Sequence, residues 1–187
     1  MAYSDTKIAN LGLARIGPDQ IANLGTDTGV TARRAREAYE PIRDEVMQLY
    51  PWPFAKTRAA LSLDAATPAF GYDYAYVLPA DYLTAISLED PDVEYEIEGG
   101  LLLTDAEEAN LHYIRRVTDP TKFSPAFVKV FYLRLASVFA MSVAQSRSLQ
   151  GEVVKEYDRA MMEAKAVERV ADNKPLTQPS SYVDSRV

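Results

Sequence analysis

The chain has no cysteine among its 187 residues, which excludes disulfides and every thiolate-based catalytic or metal site. It has a single histidine, His112, so a zinc site would need an unusual set of carboxylates. It has no Walker-type phosphate loop, since Gly99-Gly100 reads as a hairpin turn, and no nucleophile-elbow pattern. A basic surplus is missing too: the net charge is −7 and the pI about 4.8, which argues against a chain built to grip phosphates. No apolar run approaches the ~20 residues of a membrane helix. Residues 1–5 lack the basic region and apolar stretch of a signal peptide. The expectation is a soluble protein made in the cytoplasm, not an enzyme, with no cofactor, no metal and no membrane partner.

What is present suits a packed fold, with 48% hydrophobic residues. Residues 5–16 read as a short helix capped by Ser4 or Asp5, with Ile8, Ala9, Leu11, Leu13 and Ile16 on a wide apolar face. Gly17-Pro18 ends it. A second helix begins among the possible caps of residues 26–31 and runs to about Tyr50. Its stripe is Ala35, Tyr39, Ile42, Val46 and Leu49. Pro41 lies inside that stripe and removes the bond to the Glu37 carbonyl, so a kink or break is expected there.

The helix stops at Tyr50-Pro51-Trp52-Pro53-Phe54-Ala55, which holds the only tryptophan. Pro51 cannot continue the helix, and Pro53 biases Trp52 toward an extended backbone. The pair Trp52 and Phe54 is therefore expected as a buried structural anchor between two subdomains.

From residue 61 the period changes to two. Tyr72, Tyr74, Tyr76 and Leu78 alternate with other residues. Tyr95 and Ile97 alternate with Glu94, Glu96 and Glu98, and Gly99-Gly100 turns the chain into Leu101-Leu102-Leu103. Leu111, Tyr113 and Val117 suggest one more strand, with His112 on the face opposite Leu111 and Tyr113 and in a surface or hydrogen-bonded role. Asp119-Pro120 and Ser124-Pro125 restart helix. Residues 126–146 are apolar nearly all round, as in a central buried helix. Residues 152–171 are amphipathic, with Val153, Tyr157, Ala160, Ala164, Val167 and Ala171 facing inward. The fold class expected is α+β: a four-helix scaffold (1–60 and 119–172), an inserted antiparallel β lobe (61–118) and an extended C-terminal arm (173–187). The arm is rich in Pro, Ser and Thr and carries few anchors, so it is expected to order only on a partner.

Two charged groups stand out. Arg33, Arg34 and Arg36 fall early in the second helix, where cations are disfavoured. If Thr31 is the cap they are candidates for contact with an acidic partner; with Asp27 or Thr28 as the cap the conflict weakens, and a solvated face is the plainer reading. Glu94, Glu96 and Glu98 share one strand face without the spacing of a calcium loop. The plain reading is a solvated face; if that face lined a bore, its carboxylates would repel phosphates and let a duplex slide past. Tyr182, Val183 and Val187 are the interface candidates of the arm.

One ordered set of short motifs carries a family resemblance. Ile8-Ala9-Asn10-Leu11 is followed by Arg15-Ile16-Gly17, Arg43-Asp44-Glu45-Val46 and Pro51-Trp52-Pro53-Phe54-Ala55. The series continues with Gly71-Tyr72, Tyr76-Val77-Leu78-Pro79 and Tyr113-Ile114. In order and spacing it resembles the tail tubular protein A-like adaptors of short-tailed bacteriophages, over most of residues 4–150. Pro53 departs from the pattern, where a small polar residue is expected. The resemblance implies a structural virion protein at the head-to-tail junction. It would form a dodecameric ring with copies of itself, bound to the portal protein on one side and to a tail nozzle or tube protein on the other. DNA would pass through during ejection without specific binding. The rivals are a tail-associated cell-wall hydrolase using a raised-pKa carboxylate pair and a DNA-packaging accessory protein.

Overall fold

A computed structural model describes residues 2–171. The arm at 173–187, with Tyr182, Val183 and Val187, lies outside the described residues. The described chain is α+β, with four helices and two small antiparallel sheets. The helices are α1 (Asp5–Ala14), α2 (Val30–Gln48), α3 (Pro125–Ser142) and α4 (Arg147–Ala171). Between α2 and α3 come β1 (Lys56–Ala60), β2 (Ser62–Leu63), β3 (Tyr74–Val77), β4 (Tyr82–Leu88), β5 (Tyr95–Glu98), β6 (Leu101–Thr104) and β7 (Asn110–Arg115). The first strand thus starts ahead of the expected boundary at residue 61. Ala55, buried behind Trp52, accepts from Arg115 N–H, and that bond begins the pairing of β1 with β7 at once.

Local chemistry sets the helix ends. The Ser4 hydroxyl accepts from Lys7 N–H at the start of α1. Ser124 does the same for Phe127 N–H, with Pro125 at the first position of α3, where its missing N–H costs nothing. Helix α2 has Gly29 as its cap and no side-chain bond there. It runs unbroken through Pro41, so of the kink or break expected there the break does not occur. Pro41 and Glu37 are both exposed, so the lost helical bond falls on the wet side of α2, where water can replace it.

Helix α3 is the axis of the scaffold and packs against α1, α2 and α4. Phe127, Phe131, Leu135 and Phe139 are fully buried. Its 18 residues have a mean hydropathy of 1.3, so by length and composition α3 could cross a membrane, contrary to the expected absence of such a run. Its burial among the other helices accounts for that composition, since a helix apolar all round belongs in a core. Gly12 permits the close approach of α1: a Cβ there would lie 3.1 Å from the Tyr132 carbonyl oxygen. In α4, Val153, Ala160 and Ala164 are buried as expected. Val167 is exposed instead, and Glu168 takes the inward place and accepts from the Ser124 hydroxyl at 2.6 Å. A carboxylate there faces the positive end of α3.

The β lobe is two sheets rather than one. The first has the order β1-β7-β4, the second β2-β3-β6-β5. Strand β7 is central in the first and serves two cores. Ile114 joins the helical core, while Leu111 and Tyr113 join a second core with Leu88, Tyr76 and Leu102. Strand alternation puts these residues on opposite faces. The first sheet is therefore a wall between the helices and the second sheet.

Candidate assembly surfaces

The motifs that carry the resemblance occupy joints of the fold. Asn10 clamps the connector after α1: its amide nitrogen donates to the Ile21 carbonyl and its amide oxygen accepts from Ile21 N–H, both at 2.9 Å. Arg15 forms a two-bond ion pair with Glu156 of α4, and the bond from Arg15 holds the Glu156 carboxyl below its usual pKa range. Ile16 is buried, and Gly17 adopts φ +93°, a left-handed turn suited to glycine.

The Arg43–Val46 run is a four-way tie. The Arg43 guanidinium is almost wholly buried and pairs with Asp44, whose other oxygen pairs with Arg116 just beyond β7 at 2.7 Å. Glu45 pairs with Arg134 of α3 at 2.8 Å, and that guanidinium lies over the Tyr157 ring of α4. Val46 is fully buried, and its carbonyl accepts from the Trp52 indole. The run thus binds α2 to the β lobe, to α3 and to the corner that follows.

At that corner Trp52 is fully buried, and its ring meets Phe127 edge-on at 5.1 Å. Phe54 is half-buried rather than fully enclosed, tilted against Phe123 and edge-on to Phe127. Ile114 and Val117 from the end of the lobe belong to the same core, so the pair does stand where the lobe joins the helices. Tyr113 spans the lobe from within. Its hydroxyl donates to Asp81 at 2.9 Å, and burial first, then this bond, push its pKa up to about 12. Burial and a bond to Asp5 raise Tyr39 still further.

The three arginine candidates separate. Arg34 donates to the Ser142 carbonyl at the end of α3, and Arg36 donates to the carbonyls of Leu24 and Asp27. Both are used within the chain, where helix-end and connector carbonyls offset their position near the positive start of α2. Arg33 alone of the three has a side chain without a hydrogen bond or ion pair among the described residues, and it is exposed.

The glutamate candidates lie at the edge of the second sheet. Glu96 and Glu98 are register partners of Leu103 and Leu101, while Glu94 sits just before β5 and its backbone carbonyl accepts from Thr104. All three side chains are exposed. They belong to a wider imbalance. Residues 61–114 contain twelve of the 27 Asp and Glu and none of the 20 Lys and Arg. The long gap between Arg58 and Arg115 was visible in the sequence, but the alternation of Glu94, Glu96 and Glu98 drew attention to three residues of a larger field.

His112 is half-buried in β7, opposite Arg58 and Ser87. With Glu89 and Asn110 it borders a half-open cleft of about 790 Å³. Among the described residues no group of three His, Asp or Glu side chains converges as a metal site. No protein-family model matches this sequence, and no curated protein matches it.

Proposed function

We propose that this chain is a subunit of a head-to-tail adaptor ring in a tailed bacteriophage, of the tail tubular protein A-like kind. In this reading it performs no chemistry. Twelve copies sit between the portal protein and the tail nozzle or tube protein, extend the DNA channel and stay with the virion. The observation that carries the reading is the ordered motif series from Ile8 to Ile114. The joints formed by Asn10, Asp44, Val46 and Trp52 give those motifs a mechanical sense, since each couples two elements of the fold. A part that transmits load between two rings needs such couplings. The acidic lobe adds support, because phosphates passing an acidic wall are repelled rather than held.

Electron microscopy of the protein mixed with the portal of the same phage tests the proposal. Rings stacked on the portal are expected. A portal that stays bare at micromolar adaptor concentration overturns it. Clearing of a peptidoglycan layer or a shift of duplex DNA at moderate salt would favour the hydrolase or packaging reading instead.

A further inference from the structure

The outer face of the second sheet carries an unfilled apolar groove. Val77, Leu101 and Glu98 form one register row across that face, and Ala75, Leu103 and Glu96 form the next. The loop between β2 and β3 arches over it and leaves a space of about 340 Å³, with Leu101 and Leu103 on its floor and Glu98 on its rim. Phe70, at the loop tip, is 89% exposed. An aromatic held out beside an apolar groove, with charge at the rim, has the anatomy of a docking surface.

Charge selects the occupant. Residues 61–114 supply no Lys or Arg, so a surface that fits this rim must bring cations of its own. The start of α2 is such a surface on the same molecule. Val30 is 54% exposed, the first turn holds no acidic residue, and no side chain caps it. Arg33 projects from this end without an internal partner among the described residues, whereas Arg34 and Arg36 are engaged.

We infer that the groove receives the first turn of α2 from a second copy of this chain. Val30 enters beside Phe70 over Leu101, and Arg33 meets Glu98 and Glu96. Groove and helix start are different patches of one molecule, so the contact is head-to-tail and repeats from copy to copy. A repeating contact of this kind closes into a ring when its rotation fits, and otherwise makes an open chain. The inference rests on the adaptor reading for its expectation of a ring and supplies the contact between neighbours.

Sedimentation of the full chain at low and at high salt, with Arg33→Glu, Glu98→Lys and the double variant, tests it. Wild type should self-associate, and less so in high salt. Each single reversal should weaken association about tenfold, and the double variant should regain most of the loss. Both residues are exposed, so unchanged melting temperatures should show that the fold is intact. Wild type that stays monomeric, single variants that associate like wild type, or a double variant no better than the singles would each overturn the contact. Portal-bound rings formed equally well by Arg33→Glu would refute the contact and leave the adaptor reading standing. A bare portal beside charge-reversible self-association would do the opposite.

Discussion

The indole nitrogen of Trp52 donates to the carbonyl oxygen of Val46 at 2.9 Å, inside the core. Val46 lies in the last turn of α2, whose carbonyls have run out of helical N–H donors. Pro51 and Pro53 bring no N–H of their own, and the corner they form swings the indole back onto the helix it has just left. Trp52 thus fills the core and terminates α2 with one side chain.

Replacing Trp52 with Ala should destabilise the protein by roughly 3–5 kcal/mol, from lost burial and a cavity beside Phe127. Trp52→Phe should keep part of the packing and leave the Val46 carbonyl unpaired, at a cost of about 1–3 kcal/mol. Urea unfolding measures both, and native fluorescence should be blue-shifted. A native emission maximum typical of water-exposed indole contradicts this account.

Two glycines in helices should respond in opposite directions. Gly12→Ala drives a methyl against the Tyr132 carbonyl at 3.1 Å and the Phe139 ring at 3.3 Å, and should destabilise by about 1–3 kcal/mol. Gly151 lies within α4 with nothing within 4 Å of a new Cβ. There Gly→Ala should stabilise by roughly 0.5–1 kcal/mol, since glycine is the costlier residue in a helix. Thermal unfolding of both variants should show shifts of opposite sign.

Asp44→Ala should cost about 3 kcal/mol, because it leaves the Arg43 charge buried without its carboxylate. Glu163→Ala removes an ion pair with Lys129 in which both side chains are about half exposed and screened by water, and should leave stability nearly unchanged. Equal losses at the two sites, read from denaturant midpoints, would contradict the burial argument.

At alkaline pH, Tyr113 should contribute a loss of stability. Its pKa in the fold is pushed up to about 12, above the ordinary tyrosine value of about 10. The folded state therefore holds the proton that the unfolded chain gives up, so the contribution is whole below pH 10 and falls as pH rises toward about 12. Tyr113→Phe should flatten the stability profile in that window. An unaltered profile would show that the Asp81 bond and the burial have no such effect.

Sequence periodicity gave away whatever one element decides alone. The caps at Ser4 and Ser124, the buried α3 and the Gly99-Gly100 turn all follow from local rules, and each is where those rules put it. What depends on distant partners was hidden. The split of the lobe into two sheets follows from β7 pairing with both β1 and β4, a choice made across fifty or more residues on the β1 side. Val167 fits the inward stripe by spacing, yet the Ser124 hydroxyl draws Glu168 inward, and neither residue announces the other. Arg34 and Arg36 stood out as charges, and only the fold shows the carbonyls that they serve. The groove under Phe70 left no periodic signal, because a loop and three strands build it together.

Strand β7 has a mechanical consequence. With Ile114 seated among the helices and Leu111 and Tyr113 seated in the lobe, neither body can tilt without disturbing the packing of the other. The Asp44–Arg116 pair braces the same shoulder from outside. A push on the lobe therefore arrives at α2 and α3 as displacement instead of being absorbed in a linker. The molecule is built as a bracket rather than a hinge, and in the proposed ring a circle of such brackets would resist both squeezing and twist.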